Sequence, residues 1–234
     1  MEIERVTNMA KLHLSLEGIS AAGKSEAGKL LAMPPLVFKV NKSLPEEYKS
    51  VKFFEERAGD NPFLKDFYRS GMAEEYSFAS QMFYLQARLI TNANIKRWDG
   101  GIAIEDRSIY GDMIFAENLF RMKKLNKEVF EEYLKVKEVI WNSYKLKDPD
   151  AIVLFSVSLK TCLKRLKERN TGEKIDEEYW GAILSLYNSK FAEIKKRIPV
   201  IEINANIDFW QNENYMQDVA KEINKLVKRL ISRK

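Results

Sequence analysis

The chain of 234 residues contains one cysteine, Cys162, and one histidine, His13. A lone cysteine excludes a disulfide framework within the chain, and the pair excludes a Cys/His zinc set. A Ser/His or Cys/His nucleophile system is not expected from so little of either. His13 reads as a strand residue whose ring is hydrogen-bonded or solvated. No apolar run reaches membrane-spanning length and no signal peptide is visible, so a cytoplasmic location and no membrane partner are expected. No basic block stands out. The formal charge is +5, and lysines alternate with glutamates along the chain, as on solvated helix faces. Nucleic acid is therefore not the expected partner, whereas a small anionic substrate suits the balance.

What is present is core material. Hydrophobic residues make up 45% and charged residues 31%, so disorder is not expected. The length allows one large α/β domain or two small ones. We read a single domain over 1–234.

The most informative stretch is Gly18-Ile19-Ser20-Ala21-Ala22-Gly23-Lys24-Ser25, which fits G-x-x-x-x-G-K-[ST]. Leu12, Leu14 and Leu16 alternate with His13 and Ser15 before it, as in a short strand. Ser25 to Leu31 reads as the start of a helix. Strand, glycine loop and helix together are the context a phosphate-binding loop requires. In such a loop, backbone N–H groups around Gly18, Ala21, Ala22 and Gly23 point inward at a polyphosphate. The helix N-terminus adds partial positive charge. Lys24 would reach the β- and γ-phosphates of ATP, and the Ser25 hydroxyl would ligand Mg²⁺.

Apolar runs at Val51–Phe54, Ile102–Ile104 and Ala151–Phe155 predict further strands, and Pro199–Ile203 the last. Residues 63–70, 74–96, 109–124, 126–146, 159–169, 176–197 and 215–233 predict helices. Residues 32–50 read as a loop with an extra strand over Leu36–Val40. Within 74–96, Phe78, Met82, Leu85 and Leu89 recur at helical spacing, and Gln81, Leu85 and Arg88 share a neighbouring face. Phe130, Tyr133, Leu134, Ile140, Trp141 and Tyr144 give 126–146 a partly aromatic face, suited to core packing or to a subunit interface. Strands alternate with helices about five times, which predicts an α/β fold: a five-stranded parallel sheet with helices on both faces. Ligands of such sheets sit beyond the carboxyl ends of the strands. Polar groups arrive there from Gly18–Ser25, Glu55-Glu56 and Glu105–Ser108. A carboxylate in the last set can hold Mg²⁺ opposite Ser25, and an arginine beside it can clamp a phosphoryl oxygen.

In that order the sequence resembles the deoxynucleoside kinases. The resemblance runs through Gly18–Ser25, Glu56, Asp60-Asn61-Pro62, Phe67-Tyr68, Phe78-Ala79-Ser80-Gln81 with Arg88, and Asp106-Arg107-Ser108-Ile109-Tyr110 with Asp112. It continues in Phe115–Leu119, Thr161–Arg165 with Arg169, Glu178-Tyr179, Pro199-Val200 and Asn206–Phe209. The short spacing from Ser108 to Phe115 looks like the bacterial deoxyadenosine kinase branch. The resemblance implies a P-loop kinase fold and transfer of a phosphoryl group from ATP to the 5′-hydroxyl of a deoxynucleoside, with deoxyadenosine favoured. Glu56 would be the general base, with Glu55 as runner-up, and Lys24 and Arg107 would act on the transferring group. Asp106 would share Mg²⁺ with Ser25. Arg165 and Arg169 match lid arginines, in a lid over about 165–175, and Asp208 and Phe209 would border the adenine of ATP. Gln81, Arg88 and Asp112 would face the acceptor base, and Tyr68 and Glu178 its sugar. A homodimer through helices within 109–146 is implied as well.

The chain departs from the family pattern in places. Arg57 stands where the family usually has proline after its base. A further family arginine falls near Thr171, so Lys167 or Lys174 would serve the lid. Two other readings stay open here. One is a nucleoside monophosphate kinase of the thymidylate kinase type, and the other is a non-enzymatic module that binds nucleotide or nucleic acid.

Overall fold

Leu12, Leu14 and Leu16 stand on one side of strand β1 (Leu12–Glu17) and His13, Ser15 and Glu17 on the other, yet all six residues are buried. The same holds for β3 (Ile102–Asp106), so the centre of the sheet needs cover on both faces. The polar side of β1 is thus not the solvated side that alternation usually marks. The computed structural model describes residues 10–33, 43–56, 58–169, 176–208 and 211–233. The extra strand expected over Leu36–Val40 lies outside them.

The elements follow the alternating order. They are β1, α1 (Lys24–Ala32), β2 (Val51–Phe54), α2 (Leu64–Arg69), α3 (Glu74–Arg97), β3, α4 (Ile109–Arg121) and α5 (Lys127–Ser143). Then come β4 (Ala151–Ser156), α6 (Leu159–Arg169), α7 (Glu177–Ile194), β5 (Val200–Asn204) and α8 (Glu213–Ile231). The five strands form one all-parallel sheet in the order β2-β3-β1-β4-β5. Register pairs Leu16 with Asp106 and Glu17 with Leu154. The phosphate-loop strand therefore lies in the middle, with the Glu105–Ser108 segment beside it and Glu56 one strand further out.

Helix ends are set by side chains that the sequence supplies at the right places. Ser108 accepts a hydrogen bond from Tyr110 N–H, Asn126 from Val129, Asp176 from Tyr179 and Asn212 from Tyr215. These caps start α5 at 127, α7 at 177 and α8 at 213, within two residues of the spacing-based expectation. On α5 only Tyr133 is fully buried, while Val139 and the C-cap residue Tyr144 are exposed. The stripe is therefore core at its centre and surface at its far end. Among the described residues no helix is long and apolar enough to cross a membrane.

Candidate active site

Beyond the carboxyl ends of β1, β2 and β3 lies a cavity of about 380 Å³. Its wall carries the loop residues Ala21, Gly23, Lys24 and Ser25 together with Tyr68, Gln81, Tyr84 and Asp112. Glu56 and Arg107 line the same cavity, 3.3 Å apart.

The loop takes its shape from backbone that few residues adopt. Ala21 has φ +60° and Gly23, which caps α1, has φ +86°. A Cβ at Gly18 would stand 2.6 Å from the Phe155 carbonyl oxygen, so the turn passes β4 too closely for any side chain. Gly18 and Ala22 lie behind the loop rather than on the cavity wall. Lys24 Nζ donates to the carbonyls of Gly18 at 3.0 Å and Ile19 at 3.1 Å, which fixes it across the loop mouth. Burial and the nearby Arg107 bring its pKa down to about 8 against the pull of Asp106, Glu56 and Glu17, so it is mostly charged at pH 7.

Ser25 Oγ donates to Asp106 Oδ2. Asp106 Oδ1 is buried and has no hydrogen-bond partner among the described residues. Burial holds the Asp106 pKa above its ordinary value despite Lys24. A hydroxyl and a carboxylate with a free buried oxygen are hard oxygen donors of the kind Mg²⁺ takes alongside substrate phosphates. The residues present fit that ion. Among the described residues no larger carboxylate or histidine cluster would cage a metal without phosphate.

Glu56 lies just past β2 and is held by two arginines. Arg88 Nη2 donates to its Oε1, and Arg107 Nε lies 3.3 Å from the same oxygen. Burial works against the carboxylate, but Arg88, Arg107 and Lys24 outweigh it and hold its pKa at about 2. Arg88 also donates from Nε to Asp112 Oδ2 at 2.9 Å and from Nη1 to the Asp106 carbonyl at 2.8 Å. It sits behind the wall rather than on it. Gln81 and Tyr84, on the same face of α3, reach the cavity instead. Gln81 Oε1 is buried and has no partner among the described residues.

Arg107 has φ +70°, a left-handed conformation that costs a non-glycine residue about 1–3 kcal/mol. Its surroundings hold it there. Its N–H continues the ladder to the Leu16 carbonyl at 3.0 Å. Its guanidinium donates to the Tyr187 hydroxyl and lies 4.7 Å above the Phe115 ring. Glu17 Oε1 accepts from the Ser108 N–H at 2.7 Å, locking the turn that follows.

Other expected residues stand as follows. Tyr68 and Arg169 reach the wall. Arg165 is buried and tied to the Ala205 carbonyl at 2.7 Å and to Asp208 at 2.7 Å, so it braces the loop as well as facing the cavity. Glu178, expected at the acceptor sugar, is not brought to the wall. It is exposed, because helical spacing turns its neighbour Tyr179 inward instead. Glu55 is likewise off the wall, ion-paired to Lys29 at 2.6 Å. Lys167 is exposed. Arg57, Phe209, Thr171 and Lys174 lie outside the described residues. Sequence reasoning missed Glu17, Tyr84 and Tyr187. The first precedes Gly18, and the second lies three residues past Gln81 on its face, so both had a positional signal. Tyr187 had none.

Comparison with known proteins agrees with this geometry. The family model for deoxynucleoside kinase matches residues 14–228. A deoxyadenosine kinase of Dictyostelium discoideum is 28% identical over 216 residues, covering 90% of this chain and 78% of that protein. A deoxyadenosine kinase of Lactobacillus acidophilus is 27% identical, covering 92% and 96%. A deoxyguanosine kinase of the same organism is 25% identical, covering 90% and 92%. The structure of deoxyadenosine kinase from M. mycoides with dCMP and a flexible dCDP bound superposes with a TM-score of 0.68 at 21% identity, over 92% of this chain and all of that one. It shares the fold. The all-parallel sheet, the phosphate loop and the span of the match have one reading: this chain belongs to the deoxynucleoside kinase family, which are phosphotransferases.

Proposed function

We propose that the chain transfers the γ-phosphoryl group of ATP to the 5′-hydroxyl of a purine deoxynucleoside, with deoxyadenosine preferred. The observation that carries this reading is one cavity whose wall brings the Lys24 loop, Glu56 and Gln81 together. A nucleoside with its base against Gln81 has its 5′-carbon directed at Glu56 and the loop beyond.

The reaction asks for alignment and charge neutralisation more than for covalent help. Glu56 accepts a hydrogen bond from the 5′-hydroxyl and takes its proton as the oxygen–phosphorus bond forms. The bond from the γ-phosphorus to the bridging oxygen breaks, and ADP leaves. A carboxylate held at about 2 is a weak base. It suffices because the hydroxyl becomes acidic only as the new bond forms late in a loose transition state. Lys24 and Arg107 neutralise the phosphoryl oxygens, with Arg165 and Arg169 beside them. Asp106 and Ser25 would hold Mg²⁺, which supplies further charge neutralisation on the phosphates.

Base preference rests on Gln81. Its free Oε1 and its amide N–H₂ offer an acceptor beside a donor, which matches the amino group and ring nitrogen of adenine. The names of the relatives point to purines as well. We further propose a cytoplasmic single-domain enzyme that pairs as a homodimer through the outer side of α5. Val139 and Tyr144 are exposed there, with Ile90 of the adjacent α3. Sedimentation showing only monomer would remove the dimer.

The direct test is ADP release in the presence of ATP and each of dA, dG, dC, dT and dTMP. Turnover is expected with dA above the rest. Turnover with dTMP alone would make the chain a monophosphate kinase, and none with any acceptor would remove the reading.

A further inference from the structure

His13 carries the only imidazole of the chain, and the proposed transfer does not use it. His13 lies on β1, well below the loop, with its side chain almost wholly buried. Its Nε2 is 3.1 Å from Glu105 Oε1 on β3, and no other described group bonds either atom. The backbone of His13 is fastened at both polar groups. Its N–H donates to Asp150 Oδ2 at 2.8 Å, and its carbonyl accepts from Asp150 N–H at 2.7 Å. The main chain that carries the ring is therefore held in place.

Other charges face it from each neighbouring element. Lys96 comes from α3, Lys145 and Lys147 from the segment after α5, and Asp148 and Asp150 from the turn before β4. Together with His13 they line a second cavity, of about 130 Å³. Burial disfavours the imidazolium, but Glu105, followed by Asp150 and Asp148, more than offsets it and raises the pKa of His13 above the usual 6.5.

Glu105 is also attracted to Arg88. Arg88 reaches the next residue on the strand, donating to the Asp106 carbonyl at 2.8 Å. Glu105 is thus in contact with His13 and adds a smaller attraction to Arg88, which holds Glu56. Glu105 and Asp112 are both buried beside Arg88, so a further cation at Glu105 has a place here.

We infer that His13 is a positioning residue: as an imidazolium it takes up Glu105, and so leaves Arg88 committed to Glu56 and Asp112. When His13 loses its proton, the whole attraction of Glu105 falls on Arg88 and competes with Glu56. Activity then falls on the alkaline side because the base is misaligned. The link to activity rests on the reading of Glu56 as base, whereas the coupling between His13, Glu105 and Arg88 does not.

One histidine gives one imidazole signal, so NMR titration of the untagged chain is unambiguous. The His13 midpoint is expected above 6.5, falling in Glu105→Gln, where burial acts unopposed, and rising in Arg88→Gln, where Glu105 faces His13 alone. Should Arg88→Gln not fold, Glu56→Gln serves instead: Arg88 is freed toward Glu105 and the midpoint falls. With dA as acceptor, the alkaline fall in kcat is expected to follow the NMR midpoint. His13→Gln should lower kcat about tenfold below that midpoint and flatten the profile, with KM for ATP unchanged, and His13→Lys should restore kcat at high pH. A midpoint at or below 6.5, or one indifferent to Arg88 and Glu56, overturns the coupling even for a chain with no kinase activity. A wild-type pH profile in His13→Gln overturns the positioning role.

Discussion

Arg88 donates a hydrogen bond to Glu56 Oε1, the same oxygen that Arg107 approaches to 3.3 Å. One carboxylate oxygen is thus pinned between two guanidinium groups that come from different elements. That arrangement fixes the direction of Glu56 as well as its charge, and leaves Oε2 as the atom free to meet a hydroxyl.

Replacing the base while keeping its shape isolates this role. Glu56→Gln should lower kcat by about 10²- to 10⁴-fold. The affinity for ATP should hold, because the loop keeps Lys24 and its backbone donors. Single-turnover rates with nucleotide binding measured separately would check this. Unimpaired turnover would move the base elsewhere.

The fork of Arg88 should matter beyond its charge. Lysine is a point donor and cannot serve Glu56, Asp112 and the Asp106 carbonyl at once. Arg88→Lys should therefore cost about 1–3 kcal/mol of stability, through one buried group left unbonded. It should also cost about 10- to 100-fold in kcat, through a loosened Glu56. Urea unfolding beside steady-state kinetics separates the two. A variant with full kcat would mean that Arg107 alone orients the base.

The parts legible in the sequence were those with a local signature. Strand, glycine loop and Lys24-Ser25 form one continuous pattern, and buried parallel strands read as apolar runs. Gln81 and Arg88 were placed on one helix face by spacing alone. Their different fates were not legible, because a partner 24 residues away, Asp112, draws Arg88 behind the wall. Glu105 and Asp106 are adjacent letters, yet strand alternation sends them to opposite sides of the sheet. One meets Ser25 and the other meets His13. Tyr187 reaches Arg107 across 80 residues of chain, a separation at which only tertiary packing decides.

Asp112 should give the stability profile a distinctive slope. Burial raises its pKa from 3.8 to about 6, although Arg88 opposes the change. Between those values the folded chain holds a proton that the unfolded chain has lost. Stability attributable to this group therefore falls as pH rises from about 4 to 6, by about 3 kcal/mol in all. Glu56 has the opposite sign. Its pKa is lowered to about 2, so its contribution is complete above the ordinary value of 4.5 and is lost as pH falls toward 2. Denaturant unfolding at steps from pH 4 to 7 should show the Asp112 decline in the native chain and not in Asp112→Asn. Parallel curves for the two would show that Asp112 is ionised throughout that range.

Gly111, in the first turn of α4, offers a substitution that helix propensity alone would recommend. Alanine is favoured over glycine in a helix by about 1 kcal/mol. Here a Cβ would come within 2.6 Å of Arg107 Cγ, 2.7 Å of Glu17 Oε2 and 2.9 Å of the Tyr187 hydroxyl. All three belong to the packing that holds Arg107 in its left-handed conformation. Overpacking a buried site costs about 1–3 kcal/mol, which cancels or exceeds the propensity gain. Gly111→Ala should therefore unfold at about the native denaturant midpoint or somewhat below it. Its kcat should nonetheless fall by at least about tenfold, because displacing Arg107 loosens both Glu56 and the grip on the phosphoryl group. Native kcat in this variant would show that Arg107 has room to move without consequence, and its tight setting would then serve the fold rather than the reaction.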